Sequence, residues 1–234
     1  MTKKTVLLLA ALLATLLPCK SFAVKSDTYF IDTPTAEISP LRTLGVTTRM
    51  FTQGGVLSYF DFTVLDRLSI GSSFTFEHLI GTNDEKIKML TPSLQLKFRF
   101  YDGGEYVPAL AMGFDNQGFH YDHHEDKYTQ PGKGFYIVGT KEVFLPGLII
   151  NPGLNVTANN FEFDKLSGFI SAQYNVRDMV SFMTEWDDLN AIGRSRLNSG
   201  ARIYVTDSFS IDVALRDYNH KAERIAQVKY TCNL

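Results

Sequence analysis

Residues 118–132 bring histidines and carboxylates together in one polar stretch. His120, Asp122, His123 and His124 fall within five consecutive positions. Imidazole and carboxylate groups bind divalent metals, and the same groups could hold lipopolysaccharide through bridging cations. The spacing matches no defined zinc motif and suggests no supporting second shell of ligands. We therefore favour a solvated polar loop over a metal site, and we expect no cofactor.

Single charged residues recur in segments where apolar and polar positions alternate. If those segments are strands, the charges share one face of a sheet, because successive side chains point to opposite faces. Six basic and five acidic residues are nearly balanced, which favours ion pairs that fill an interior. The alternative is a row of charges that guides a solute through a hydrophilic conduit. The predicted lumen-lining charges are Arg49, Asp61, Glu77, Lys97, Arg99, Glu185, Asp187, Arg202, Asp212, Arg216 and Lys229.

These residues are placed by an alternation of apolar and polar residues that runs through most of the chain. Leu94, Leu96 and Phe98 alternate with Gln95 and Lys97, whereas no segment after the first 23 residues shows a convincing period of 3.6. The pattern predicts an all-β chain of about twelve strands, most of them longer than a typical globular strand. The predicted strands lie near 42–51, 55–65, 67–79, 88–101, 105–117, 133–144, 147–159, 164–176, 178–189, 195–206, 208–219 and 223–233.

The links between the predicted strands alternate in length. Short turns such as 65–67 alternate with longer polar links such as 118–132. Short periplasmic turns and longer external loops are typical of outer-membrane barrels, whose strands need about 9–11 tilted residues to cross the bilayer. We therefore predict a transmembrane antiparallel up-and-down β-barrel. Pro92, Pro108 and Pro152 fall within predicted strands, so we expect them at bulges or strand ends.

The first residues have the features of an export signal. Lys3 and Lys4 precede a mostly apolar stretch over 6–17, and Ser21 and Ala23 supply the small residues that signal peptidase reads. The apolar stretch is too short for a membrane-spanning helix, which needs about 20 residues. We predict a signal peptide that is cleaved after Ala23.

Cleavage there divides the chain into a signal peptide at 1–23, a periplasmic N-terminal segment at 24–40 and a barrel at 41–234. Three of the 23 basic residues leave with the signal, so the mature chain carries 20 basic and 25 acidic residues and a formal charge of −5. This acidic balance argues against nucleic acid as a partner. No later apolar run approaches 18 residues, so no transmembrane helix is predicted.

The orientation of the two faces needs a separate argument, because a soluble lipocalin-like barrel would show the same alternation with its faces reversed. The polar face is rich in Ser, Thr, Asn and Gly, whereas a water-facing exterior is usually denser in Lys and Glu. The apolar faces end in aromatic residues such as Phe135 and Trp186, as interfacial girdles do. We therefore expect the apolar face to contact lipid and lipopolysaccharide in the outer membrane of a Gram-negative-type bacterium.

The last predicted strand resembles the terminal strand that outer-membrane proteins present to the barrel-assembly machinery. That machinery is therefore an expected partner. Leu234 departs from the pattern, since an aromatic residue is usual at that position. The apolar positions of the strand are Ala226, Val228, Tyr230, Cys232 and Leu234.

Three stretches of the chain resemble a known family. They are LDRLSIG at 65–71, a hairpin over 97–115 with KFRF, a DGG turn and PALAMGFD, and GFYIVGTK at 134–141. Over residues 55–145 the chain resembles the YjbH-like outer-membrane barrels associated with exopolysaccharide secretion. The resemblance implies a role in polysaccharide export, with other polysaccharide-export components as partners.

Three functions fit a barrel of this size. Barrels of about eight strands are filled by side chains and those of 16–18 strands leave an aqueous channel, so twelve lies between them. We favour a conduit or accessory for export of surface polysaccharide or a small hydrophilic solute. One alternative is a structural or adhesive barrel with a filled lumen. A phospholipase-like enzyme is less favoured, because His78, at a strand rim, is the only histidine in a predicted strand and no catalytic Ser–His pair stands out.

Overall fold

The computed structural model describes residues 27–81, 86–143, 145–159, 162–190 and 195–234. The predicted signal peptide, residues 1–23, lies outside the described residues. Within these ranges no helix is long and apolar enough to span a membrane.

The described chain is a closed antiparallel β-barrel of twelve strands, as the sequence predicts. Each strand pairs with its neighbours along the chain, and β1 closes the barrel by pairing with β15, from Thr43 opposite Asn233 to Met50 opposite Ala226. The barrel strands are β1 (Thr43–Phe51), β2 (Gly55–Leu65), β3 (Leu68–Glu77), β5 (Ser93–Tyr101), β6 (Ala109–Asp115), β9 (Gly132–Glu142), β10 (Leu148–Asn159), β11 (Glu162–Val176), β12 (Val180–Asp187), β13 (Arg196–Tyr204), β14 (Phe209–Arg216) and β15 (Glu223–Asn233). Three short strands complete the set, namely β4 (Lys88–Met89), β7 (Phe119–Asp122) and β8 (Lys127–Gln130).

Two predicted strands start too early because prolines stand at their beginnings. The strand predicted from residue 88 begins after Pro92, and the strand predicted from residue 105 begins after Pro108. Pro152 lies within β10, where the pairs with β9 are interrupted between Ile150 and Gly153. At all three positions the missing N–H group of proline therefore does not interrupt a hydrogen-bonded pair of strands.

The two faces of the wall differ in the way that a membrane barrel requires. In β12, Phe182, Thr184 and Trp186 are exposed, whereas Met183 and Glu185 are buried. Phe135 and Phe163 stack on the outer surface with ring centroids 5.3 Å apart. Large apolar side chains therefore face outward to lipid, and polar side chains face the lumen.

The termini and the short turns lie at one end of the barrel. The ends of β2, β5, β9, β11 and β13 connect there to the next strand, close to Thr43 and Asn233. The longer links lie at the opposite end. We call these the turn end and the loop end, and the turn end corresponds to the periplasmic side of such barrels.

The sequence predicts that residues 24–40 lie in the periplasm. In the structure, the described part of this segment, residues 27–40, instead folds back into the lumen. Residues 27–38, which we call the N-terminal hairpin, turn around a pairing of Tyr29 with Pro34. The Phe30 N–H donates to the Thr33 carbonyl at 3.1 Å. Phe30 is only 1% exposed. The prediction failed because this segment gains its order from contacts with the barrel wall, which its own short polar sequence does not reveal.

Candidate functional site: a filled lumen

The predicted lumen charges form two groups in the structure. Seven of them are 5% exposed or less, and the other four are partly exposed. The buried group consists of Arg49, Lys97, Glu185, Asp187, Arg202, Asp212 and Arg216. The partly exposed group consists of Asp61, Glu77, Arg99 and Lys229.

Glu185 on β12 holds the tip of the N-terminal hairpin. Its carboxylate accepts hydrogen bonds from the backbone N–H groups of Ile31, Asp32 and Thr33 at 2.8 to 3.0 Å. The Thr33 hydroxyl donates to the same carboxylate at 2.7 Å, and the Asn198 amide donates at 2.9 Å. Since these bonds go to a buried charged acceptor, they are stronger than neutral ones. Glu185 therefore fixes the three residues at the tip of the hairpin.

The carboxylate of Asp32 bridges two arginines of the wall. Oδ1 accepts from Arg49 Nη1 at 2.7 Å, and Oδ2 accepts from Arg216 Nε at 2.6 Å. Burial alone would raise the pKa of Asp32, but the guanidinium groups of Arg216 and Arg49 outweigh it and lower the pKa to about 2. Arg216 also pairs with Glu223 of β15 at 2.5 Å. Asp32 is therefore ionised at neutral pH and belongs to a four-residue ionic network.

A second ionic network holds the start of the N-terminal hairpin. Arg202 on β13 contacts Asp27 of the hairpin and binds Asp212 of the wall through two hydrogen bonds of 2.8 Å. Arg202 also donates to the Phe30 carbonyl at 3.0 Å. The Tyr204 hydroxyl donates to Asp27. Both carboxylates are therefore paired on one buried guanidinium.

The returning leg of the hairpin meets further cations. Arg99 Nη1 lies 2.9 Å from a Glu37 carboxylate oxygen. Lys97 Nζ connects the two legs, because it donates to the Glu37 carbonyl at 3.4 Å and to the Thr28 carbonyl of the first leg at 2.6 Å. Residues 27–40 contain three acidic residues and no basic residue. All three acids, Asp27, Asp32 and Glu37, pair with arginines of the wall. The hairpin is thus an acidic insert in basic sockets of the barrel.

Two apolar patches on the inner wall also receive the hairpin. Phe30 and Ile31 pack with Met183 and Ile225 in one of them. Ala36 packs in the other, against a cluster that includes Phe169. Apolar side chains on the lumen side of a membrane barrel are unusual, because that face is normally polar. Because these apolar side chains lie opposite apolar residues of the hairpin, the inner wall forms a complementary binding surface for this segment.

The long link between β6 and β9 also enters the lumen. Residues 116–131, which we call the inward loop, contain the β7–β8 hairpin. The Phe119 ring lies 3.9 Å below the Arg216 guanidinium and 5.3 Å from that of Arg49. Arg216 Nη2 donates to Gln130 at 3.1 Å. The inward loop therefore reaches the same arginine pair as Asp32, from the opposite end of the barrel.

The histidine-rich part of the inward loop is spread over two rim contacts. His123 Nε2 lies 2.6 Å from Glu77, and His120 Nε2 lies 3.3 Å from Glu223. The His124 N–H donates to Asp122 at 2.8 Å. Among the described residues, no group of three histidine, cysteine or acidic side chains is placed to hold a metal ion. Two of the candidate metal residues, His120 and His123, therefore connect the loop to the barrel wall, whereas Asp122 and His124 contact each other within the loop.

Several interior charges were missed by the sequence reasoning. Lys133 contacts Asp187, which also pairs with Arg196 at 2.7 Å. Asp115 accepts from the Tyr29 hydroxyl of the hairpin at 3.1 Å. The five-residue spacing of the acids in the hairpin, within a segment that lacks cations, was a signal that could have indicated its basic surroundings.

Two of the cavities beside the inserted segments border the predicted lumen charges. One of about 80 Å³ is lined by the hairpin and by wall residues that include Asp61, Lys97 and Lys229. The other, of about 370 Å³, lies towards the loop end and is lined by Arg49, Arg216 and residues of the inward loop. The larger one has the volume of a small ligand pocket, which is about 300–1,000 Å³.

The C-terminal strand closes the barrel. Four of its predicted apolar positions, Ala226, Val228, Tyr230 and Cys232, lie in β15, and Leu234 follows that strand. Their recognition by the assembly machinery stays a prediction.

A closed barrel with an apolar outer face and a polar lumen defines a transmembrane β-barrel protein of the outer membrane of a Gram-negative bacterium. Comparison with protein-family models gives no match, and comparison with curated proteins gives no significant match. The fold is similar to that of the KdgM porin, with a TM-score of 0.56 and 9% identity over 80% of this chain and 98% of that chain. A KdgM porin in complex with disordered oligogalacturonate gives a TM-score of 0.53 and 8% identity over 80% of this chain and 98% of that chain.

Proposed function

We propose that this protein is an outer-membrane channel for hydrophilic solutes whose lumen is closed, in the described state, by its own N-terminal hairpin. The observation that carries the proposal is the way in which the hairpin is held. Arg49 and Glu185 of the wall form polar contacts with it in a lumen lined by charged residues. Polar contacts of this kind can be exchanged for contacts with water or with a polar solute, unlike a closely packed apolar core.

The path of the hairpin supports a removable plug. Its first residue, Asp27, contacts Tyr204 near the turn end, and Leu41 and Arg42 lead from its other leg into β1 at that same end. Because both legs lie at the turn end, the hairpin can withdraw towards the periplasm without threading through the barrel. No strand of the wall has to separate for the lumen to open.

Export of surface polysaccharide is the finer proposal. It rests on the resemblance of residues 55–145 to YjbH-like barrels, which implies polysaccharide-export components as partners. The structural relative whose complex contains oligogalacturonate is compatible with a carbohydrate solute. Deletion of the gene tests this: loss of surface polysaccharide with unchanged uptake of small hydrophilic solutes would favour an export accessory over a general channel.

Conductance in planar lipid bilayers tests the channel itself. The full mature chain is compared with a variant in which residues 27–38 are replaced by a Gly-Ser linker of equal length. We expect the variant to conduct at least tenfold more current than the full chain, because the linker cannot bind Glu185 or the arginines. Folding of both is checked by the heat-dependent mobility of the barrel on a denaturing gel.

A folded variant that stays insulating would contradict the channel and favour the second candidate, a structural or adhesive barrel with a filled lumen. That candidate is supported by the number of buried contacts at the hairpin tip, of which Glu185 alone accepts four from residues 31–33. It predicts that deletion of residues 118–132 abolishes surface adhesion while the barrel stays folded. The enzyme stays the less favoured alternative, since His78 follows the last residue of β3 rather than lying within the strand.

A further inference from the structure

We propose that the Arg49–Arg216 pair is a binding site for a carboxylate-bearing sugar, which Asp32 fills in the closed state and which such a solute would take over as the hairpin leaves. The inference rests on the proposed channel function and names its solute class.

The two guanidinium groups are arranged around one carboxylate. Each of the two Asp32 oxygens accepts from a different arginine, at 2.7 Å from Arg49 and 2.6 Å from Arg216. Both arginine side chains are 3% exposed and lie over the Phe119 ring. Arginine is suited to such planar recognition of carboxylates and to stacking on aromatic faces. The wall and the inward loop thus supply a complete carboxylate socket.

The anion in the socket comes from the hairpin and not from the wall. Arg216 has a wall partner in Glu223, whereas the other side-chain acceptor of Arg49 is the neutral amide oxygen of Gln227 at 3.0 Å. When the hairpin withdraws, a buried guanidinium loses its charged partner, which is costly unless an anion replaces it. An incoming carboxylate would satisfy that charge and would compete with Asp32 for it.

The socket is reached from the loop end through the cavity of about 370 Å³. Arg49, Phe119 and Arg216 line its inner part, and Thr52 and Gln117 add a hydroxyl and an amide. The same cavity is also lined by the acids Glu77, Asp122 and Glu223. Each of them already has a partner, since Glu223 pairs with Arg216, Glu77 contacts His123, and Asp122 accepts from the His124 N–H. A solute there would meet two cations, an apolar ring face, neutral hydrogen-bonding groups and these partnered acids. This combination fits a hydroxylated ring that carries a carboxylate better than it fits a small inorganic anion or a neutral sugar.

Calorimetric titration of the detergent-solubilised full chain tests the site directly. The probes are trigalacturonate, maltotriose as the neutral trisaccharide of equal length, and inorganic phosphate. We expect binding of trigalacturonate and at least tenfold weaker binding of the other two. Asp32→Asn should bind trigalacturonate at least tenfold more tightly, because the internal competitor is removed. Arg49→Gln should bind it at least tenfold more weakly, and Asp207→Asn at the exposed turn end should match the unmodified chain.

Three results would overturn the site. Equal binding of maltotriose would remove the requirement for a carboxylate, and equal binding of phosphate would reduce the site to a general anion site. Unchanged affinity in both Asp32→Asn and Arg49→Gln, with normal heat-dependent mobility, would place the ligand elsewhere. The channel proposal is judged apart from this, by the conductance of the linker variant. Binding without conductance contradicts the channel alone, and conductance without binding contradicts the site alone.

Discussion

Glu185 and Thr33 are joined by two hydrogen bonds, one from the Thr33 backbone N–H at 2.9 Å and one from its hydroxyl at 2.7 Å. The two residues are separated by 152 positions in sequence. The contact connects the tip of the N-terminal hairpin to β12. The hairpin is not part of the wall, and the buried Glu185 carboxylate holds its tip through the N–H groups of residues 31–33. We therefore expect Glu185 to be a main determinant of the closed lumen.

Glu185→Gln tests this role. The amide keeps the size of the side chain but removes the charge that the N–H groups of residues 31–33 bind. We expect the closed state to lose about 2 kcal/mol or more, since hydrogen bonds to charged groups contribute about 1.5–3 kcal/mol each. The ratio of open to closed channels in bilayers should rise by roughly 30-fold. Glu105→Gln, at an exposed turn-end position, is the matched control, and equal currents from the two variants would show that Glu185 does not hold the plug.

The barrel wall could be predicted from the sequence because its information is local. The alternation of Leu94, Leu96 and Phe98 with Gln95 and Lys97 appears in the structure as one strand, Ser93–Tyr101. A period of two specifies both the strand and the face of each side chain, and the turns separate one strand from the next. The errors in the wall are confined to strand ends, and prolines account for two of them, at the starts of β5 and β6.

The plug and its receptor could not be predicted in this way. Asp32 binds Arg49 and Arg216, which lie 17 and 184 positions away in the sequence. The acids of this short segment indicate basic surroundings, but its sequence does not show which residues it contacts at such separations. For the same reason the balanced lumen charges suggested ion pairs within the wall, whereas four of the wall arginines pair with the hairpin.

The pH dependence of the closed state follows from Asp32. Its pKa in the folded protein, about 2, lies below the value of about 3.9 for an unperturbed aspartate. The ion pairs are therefore complete above about pH 4 and are lost as the pH falls towards 2, at a cost of about 2 kcal/mol. We expect bilayer conductance to rise over that interval.

The Asp32→Asn variant isolates this contribution. It has no carboxylate to protonate, so its conductance should change less than that of the unmodified chain between pH 4 and pH 2. Asp207→Asn should retain the full response, because Asp207 lies at the exposed turn end. A response of equal size in both variants would assign the acid opening to other groups.

Gly134 is required by the wall rather than by the plug. Its φ is +62°, and a Cβ atom there would lie 1.9 Å from the Val156 carbonyl oxygen, where the register of β10 shifts. We expect Gly134→Ala to lower the free energy of unfolding by about 2 kcal/mol or more, through backbone strain and this clash. Urea unfolding followed by gel mobility measures it. Gly104→Ala is the control, since the nearest atom to its added Cβ would be 3.9 Å away, and equal stability of the two variants would contradict the argument.

A free peptide with the sequence of residues 27–38 should close the linker variant from one side of the membrane. The contacts of Asp32 with Arg49 and of Thr33 with Glu185 do not depend on the covalent link to β1, so the peptide can form them again. A short tether gives the attached hairpin an effective concentration in the millimolar range. We therefore expect the free peptide to block the linker variant at concentrations of up to about 1 mM.

The side of addition is as informative as the block itself. The hairpin enters from the turn end, whereas the inward loop with Phe119 narrows the opposite approach to Arg216 to the cavity of about 370 Å³. Current should therefore fall when the peptide is added to the turn-end side, and a scrambled peptide of the same composition should leave it unchanged. Equal block by both peptides would reduce the effect to non-specific binding of an acidic chain. Block from the loop side alone would mean that the hairpin reaches its receptor by a different route from the one its two legs define.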